Sequence, residues 1–208
     1  MQRFSILLGG EVRVTARLRG QVAGSRVIAA DSGMAHAAAL SVTPELWVGD
    51  FDSAGADLQA RHPGVARKVF PAAKDATDGA LAIREAVSRG ATELLLVGGF
   101  GGQFDHVMAH ALQLLQLADA GVSAVMTSGT EEAYPLLSSL ALPGLSAGTR
   151  LSVLPLTALQ GLTINGVRWP LVARDVDFAS TLTLSNEVAG DVTLSLRAGR
   201  ALVLVYPQ

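Results

Sequence analysis

The hydrophobic period of this chain changes once, and that change calls for two kinds of packing. Up to about Val125, short β-rich runs alternate with helical patterns: Phe4 to Leu8, Arg26 to Ala30, Glu45 to Val48, Val65 to Phe70, Leu94 to Val97 and Val122 to Met126. Strands separated by helices pair in parallel, so this half is expected to be a doubly wound, mostly parallel α/β sheet. Thr77 to Ser88 sets Ala80, Leu81, Ile83, Ala86 and Val87 on one broad helical face, and Val107 to Ala118 is apolar on most sides. Gly90 and Gly121 follow where each helix is expected to end. Beyond about Pro143 the helical period disappears. Arg150 to Leu154, Thr181 to Ser185, Val192 to Leu196 and Ala201 to Val205 alternate with glycine-containing turns and predict a small all-β half. The expected organisation is an α/β domain over 1–128, a linker over 129–144 and a β domain over 145–208. The β domain is short for an independent core, which predicts packing against the first half or a second copy of the chain.

Composition narrows the class of function. The 208 residues include 16 Lys and Arg against 18 Asp and Glu, a net charge of −2, with a sequence pI near 6.1. That balance offers no broad basic face, so no nucleic-acid partner is expected. With no cysteine there is no disulfide, thiolate nucleophile or cysteine-held metal, and a cytoplasmic setting is expected. The mean hydropathy of +0.38 is high. Yet every apolar run is broken well short of the roughly 20 residues that span a bilayer, so no membrane partner is expected. Met1 to Gly10 reads as a strand, lacking the basic start and small-residue cleavage site of a signal peptide.

The acidic residues sit where strands end. Asp31 follows Val27 to Ala30, Asp50 and Asp52 follow Leu46 to Gly49, and Asp105 lies in a glycine-rich loop after Leu94 to Val97. In an open parallel sheet, ligands bind beyond the carboxyl ends of the strands near a reversal of strand order, so these acids are expected to share one crevice. Gathered like charges need a cation. Asp50 and Asp52 flank Phe51, and in an extended segment both carboxylates face one side, as a hard metal ion requires. An all-oxygen, cysteine-free set favours Mg²⁺ over zinc. The other reading of Asp-x-Asp-Ser is a plain turn.

A second group, Lys74, Asp75, Thr77 and Asp78, precedes the helix through Val87. Thr77 or Asp75 can cap that helix, and Asp78 suits its positive end. Capping leaves Lys74 unexplained in a chain whose only other lysine is Lys68, and a phosphate would use that charge. The third group runs from Gly98 to His106, with Gly98, Gly99, Gly101 and Gly102 permitting the close backbone approach of a phosphate-binding loop. It does not fit the dinucleotide pattern, because Phe104 stands at the third glycine, nor the P-loop, because no Gly-Lys-Ser/Thr occurs. His106 and His110 have helical zinc-pair spacing, but Val107 replaces the glutamate such sites use, and no Gly-x-Ser-x-Gly elbow is present. Trp47 and Trp169 read as core or interface residues, with Trp169 a candidate pocket wall.

Taken in order, these segments resemble the thiamine pyrophosphokinase (thiamine diphosphokinase) family. The elements are ADSG at 30–33, the GDFDS run from Gly49 to Ser53 with Pro44 ahead of it, KDATD at 74–78, GGFGGQFDH at 98–106 and SNE at 185–187. The resemblance implies transfer of a diphosphoryl group from ATP to the hydroxyl of thiamine, with AMP as the other product. It also implies an α/β domain, a β-sandwich domain and a homodimer in which Ser185 and Asn186 approach thiamine bound to the partner subunit. It assigns Asp50, Asp52 and Asp78 to Mg²⁺, with Thr77 as a further oxygen. Lys74, Gly98, Gly99, Gly101, Gly102 and Gln103 are assigned to phosphates and Asp31 to nucleotide or the metal shell. Asp75 and Asp105 are implied to orient or deprotonate the thiamine hydroxyl, and His106 to sit beside substrate. The last β-segment offers Tyr206 for ring stacking, besides Trp169 earlier. The chain departs from the family pattern at Ser32, where Gly is usual, and at Gln103, where Arg is usual. A diphosphokinase acting on a hydroxymethylpterin, and a nucleotide- or thiamine-binding paralogue without turnover, would share much of this acidic architecture.

Overall fold

Six short strands of the first half lie side by side in one direction. The computed structural model describes residues 2–71, 73 and 75–207, which divide into two units, 1–110 with 121–129 and 111–120 with 130–208. The strands are β1 (Arg3–Leu7), β2 (Arg26–Ala30), β3 (Leu46–Gly49), β4 (Ala66–Val69), β5 (Glu93–Val97) and β6 (Ser123–Thr127). Their parallel pairs give the spatial order β6-β5-β1-β2-β3-β4. The chain thus builds outward from β1 to β4, then returns to the other side of β1 for β5 and β6. Phe4, Ile6, Leu7, Ile28, Trp47 and Leu96 are fully buried, as expected for strands covered on both faces. β4 is exposed along its length, and its Arg67 and Lys68 mark it as a sheet edge.

The connecting helices are α1 (Ala16–Val22), α2 (Ala37–Leu40), α3 (Ala56–Arg61), α4 (Asp78–Ser88) and α5 (Phe104–Asp119), with a 3-10 turn at Asp31–His36. Thr15 caps α1 by accepting from the Leu18 amide, and Thr77 caps α4 by accepting from the Ala80 amide. α4 buries Gly79, Ala82, Ile83 and Ala86. Val87, expected on that face, is 40% exposed because it lies about 100° round the helix from Ala86.

The second unit contains β7 (Glu132–Leu136), β8 (Ser139–Leu142), β9 (Arg150–Pro155), β10 (Leu159–Val167), β11 (Leu171–Val176), β12 (Asn186–Ser195) and β13 (Ala201–Tyr206). Their pairs are antiparallel: β7 with β13, β13 with β9, β9 with β12, β12 with β8 and β10, and β10 with β11. Leu151, Val153, Leu162, Ile164, Val203 and Val205 sit in its core. Strand pairing in the chain as a whole is therefore mixed, with helices between the parallel strands.

Two sequence expectations give way here. Residues 129–144, expected as a linker, carry β7 and β8. Each strand is short and β7 contains Pro135, so neither presents a long apolar run to read. Thr181 to Ser185, expected as a strand, is a turn with Leu184 N–H donating to the Thr181 carbonyl. The alternation there is inverted: Thr183 is buried with its hydroxyl on the Val153 carbonyl, while Leu182 is 59% exposed. No helix among the described residues is long and apolar enough to cross a membrane.

Candidate active site

β1 lies between β2 and β5, so the loops leaving their carboxyl ends diverge and open a crevice. A cavity of about 350 Å³ occupies that place. Its walls are Leu8, Gly9 and Gly10 after β1, Asp31 and Ser32 after β2, and Asp50, Asp52 and Ser53 after β3. Gly98, Gly99, Gly101, Gly102 and Gln103 follow β5, Thr77, Asp78 and Gly79 open α4, and His106 and His110 come from α5.

At one wall Asp31, Asp50 and Asp52 each bring a carboxylate oxygen within 4.8 Å of the others. The Asp50–Asp52 pair is not extended, as the spacing suggested; Phe51 between them is left-handed, with φ 65°. The Asp52 amide donates to Asp50 Oδ1 at 3.3 Å and the Ser53 hydroxyl to Asp52 Oδ1 at 3.0 Å. The segment is therefore a turn and also a cluster of acids. Asp31, also left-handed at φ 42°, is buried, and its Oδ1 meets no donor among the described residues. Burial pushes the Asp31 carboxyl above the usual range; the Ser32 amide and Ser53 hydroxyl oppose the shift, and the charges of Asp78 and Asp52 add to it. A buried carboxylate oxygen without a donor is costly unless a cation answers it. Three hard oxygens with that need fit Mg²⁺. Asp78 lies on the same cavity lining, outside this trio.

The opposite wall is the glycine loop, where Gly98, Gly101 and Gly102 have φ of 80°, 75° and 74°. The Gly98 amide, expected to face phosphate, donates instead to the Thr127 carbonyl at 2.9 Å and ties the loop to β6. Gly10 N–H bonds the Gly98 carbonyl at 2.9 Å, and Glu11 N–H bonds the Phe100 carbonyl at 2.7 Å. Ser32 is accommodated because Gly9 faces it: a Cβ on Gly9 would lie 2.4 Å from Ser32 Oγ.

The remaining expected residues divide. Gln103 and His106 line the cavity, and Thr77 does so while its hydroxyl caps α4. Asp75 and Asp105 are exposed and off the cavity wall; Asp105 Oδ1 accepts from the His106 amide at 2.9 Å. Lys74 lies outside the described residues. In the second unit the Ser185 amide donates to Ser152 Oγ at 2.9 Å. Asn186 is buried and clamps Trp169: its Oδ1 accepts from the Trp169 amide at 3.1 Å, and its Nδ2 donates to the Trp169 carbonyl at 2.8 Å. Trp169 is 53% exposed, with the Arg168 guanidinium 4.8 Å from its ring centroid. No spacing rule links Trp169 to a residue so far along the chain, so the sequence carried no sign of this clamp. Leu8, Gly9, Gly10 and Gly79 are cavity residues that sequence reasoning missed, the Gly-Gly pair directly after the first strand being the available signal; Ser53 and His110, noted there as part of a motif and of a histidine pair, also line the cavity.

Two family models match the chain in order. Residues 23–126 match "Thiamin pyrophosphokinase, catalytic domain", and residues 142–200 match "Thiamin pyrophosphokinase, vitamin B1 binding domain". Among solved structures, the thiamine pyrophosphokinase of Bacillus subtilis is similar over all of both chains, with a TM-score of 0.89 and 21% identity. That of Geobacillus thermodenitrificans is similar over 100% of this chain and 98% of its own, with a TM-score of 0.82 and 25% identity. The Candida albicans enzyme is similar over 100% of this chain and 89% of its own, with a TM-score of 0.82 and 13% identity. No curated protein sequence matches the chain.

Proposed function

The chain belongs to the thiamin pyrophosphokinase family, and from that premise we propose that it transfers the diphosphoryl group of ATP to the hydroxyl of thiamine in the cavity at the β1–β5 reversal. The hydroxyl oxygen bonds to the β-phosphorus, the bond from that phosphorus to the α-phosphate oxygen breaks, and AMP and thiamine diphosphate leave. The observation that carries the site assignment is the meeting of Asp31, Asp50 and Asp52 opposite a glycine loop.

In this reading Asp31, Asp50 and Asp52 would hold Mg²⁺, with Asp78 and Thr77 on the same cavity lining. A bound Mg²⁺ supplies charge neutralisation on the phosphate oxygens as AMP departs. Gly99, Gly101 and Gly102 let the phosphates approach the backbone, Gln103 is a side-chain donor on the cavity lining, and Lys74 is the cation the family resemblance assigns to them. Asp105 and Asp75, which lie off the cavity wall, are the acids the family resemblance assigns to orienting the thiamine hydroxyl and receiving its proton, and His106 lines the cavity beside the substrate. Orientation of the hydroxyl supplies most of this contribution. Ser185, Asn186 and Trp169 serve thiamine in a homodimer, the amide clamp presenting the indole as a stacking face.

The doubly wound reading of the first unit is supported by the strand order around β1, and the sandwich reading of the second by its antiparallel pairs. A cytoplasmic location belongs to the same proposal. The deciding experiment is mass-resolved product analysis with ATP, Mg²⁺ and thiamine, and separately with a hydroxymethylpterin. Equal AMP and thiamine diphosphate is the expected result. AMP with the pterin alone would move the substrate, and no AMP from folded protein would leave a binding protein.

A further inference from the structure

Trp47 is the second residue of β3 and is fully buried. Its position looks like ordinary core, yet its hydrogen bond and its nearest ring contact both fall on the segments that carry the acids; it also meets the His62 ring edge-on, with centroids 6.3 Å apart. The indole Nε1–H donates to the Asp31 main-chain carbonyl at 2.8 Å. The ring meets Phe51 edge-on, with centroids 5.0 Å apart and planes at 78°. The Arg67 guanidinium lies 5.1 Å from the Trp47 ring centroid and 5.5 Å from that of Phe51. Arg67 is fixed in turn by Gln59, donating to its main-chain and side-chain oxygens, each at 3.1 Å.

Asp31 and Phe51 are both left-handed, at φ 42° and 65°. Non-glycine residues stay in that region only where their surroundings hold them there. An aliphatic side chain at position 47 would fill the core but offer no N–H to Asp31 and no ring edge to Phe51. We propose that Trp47 is a positioning residue: one indole holds the two left-handed turns, after β2 and after β3, that bring Asp31, Asp50 and Asp52 to a common point. The inference rests on the reading of those acids as the Mg²⁺ site.

The test uses the full chain and Mn²⁺ alone as probe, with binding read by the electron paramagnetic resonance of unbound Mn²⁺. Thermal midpoints and circular dichroism are recorded beside it. Trp47→Phe keeps a ring against Phe51 and removes the N–H. It should raise the Mn²⁺ dissociation constant about tenfold, the size typical of losing a contact behind a metal ligand. The Mg²⁺ midpoint of turnover should rise in parallel while KM for thiamine stays put, and excess Mg²⁺ should restore kcat. A merely structural role would lower the fraction of active protein and leave the metal midpoint unchanged. Asp52→Asn tests the underlying reading separately. If Asp52→Asn loses Mn²⁺ while Trp47→Phe binds it as the parent does, the positioning role is overturned and the metal site stands. If Asp52→Asn binds Mn²⁺ unchanged, the metal reading falls and this inference with it. Should Trp47→Phe fail to fold, Phe51→Leu, at a half-buried side chain, carries the test. The same shift in metal midpoint supports the proposal, and no shift overturns it.

Discussion

Asp31 shows how a single buried carboxylate sets stability against function. Its raised pKa means that the folded state binds the proton more tightly than the unfolded chain does, so its contribution to stability falls as pH rises through the folded value. In chelator, Asp31→Asn is expected to raise the melting temperature at pH 7 and to flatten this part of the pH dependence, while diphosphoryl transfer is lost. A lower melting temperature for the variant would contradict the strain assigned to this carboxylate. Asp50→Asn and Asp52→Asn should keep the circular dichroism spectrum and lose roughly a hundredfold or more in kcat; wild-type turnover in both would refute the metal assignment. Gly9 and Ser32 form a coupled pair across the cavity wall. Gly9→Ala should destabilise by about 1–3 kcal/mol through overpacking, and Ser32→Gly in the same chain should recover most of it, as a double-mutant cycle in urea would read. At this scale the sequence showed where the acids and glycines fall relative to the strand ends. It did not show that Phe51 is left-handed or that Asp31 completes the trio, because both depend on contacts between separate strand ends.

Among the elements, a chain of ion pairs ties β2, β4 and α4 along one side of the first unit. Glu45 bonds Arg26 at 2.7 Å and Arg89 at 2.8 Å, and Glu85 bonds Lys68 at 2.5 Å and Arg89 at 2.9 Å. The Arg26 hydrogen bond holds the Glu45 carboxyl below its usual range, and the Lys68 hydrogen bond does the same for Glu85. Their stabilisation is complete above the ordinary glutamate range and is lost as pH falls through the depressed folded values. Arg89→Met is expected to cost about 1 kcal/mol at pH 7 and to shrink the acid limb of the melting curve; an unchanged acid limb would refute the linkage. The parallel strands and both long helices were legible because each repeats one period over several residues. The turn at Thr181 to Ser185 was misread because buried Thr183 and exposed Leu182 reverse the usual pattern, and β7 and β8 were too short to show one.

For the whole molecule, the exposed apolar side chains of the second unit bear on assembly. Trp169, Val172, Phe178 and Leu182 are 53%, 81%, 66% and 59% exposed. The proposed homodimer predicts twice the chain mass in light scattering at micromolar concentration, and a monomer would overturn it. Trp169→Ala is expected to raise KM for thiamine about tenfold with little change in kcat at saturation, since stacking contributes equally to ground and transition states.

By itself the sequence determined the alternation of strands and helices, the later change to strands alone, the order of the acidic and glycine motifs and the family they spell. These are local properties, carried by residue type and by spacings of a few positions. The tertiary structure alone decided that the Asp31 carboxylate comes within 4.8 Å of those of Asp50 and Asp52, that the Gly98 amide is spent on β6, that Gly9 makes room for Ser32, and that Asn186 presents Trp169. Each of these is a meeting of side chains or backbone from different elements, within a few ångströms, and no pattern along a single segment encodes such a distance.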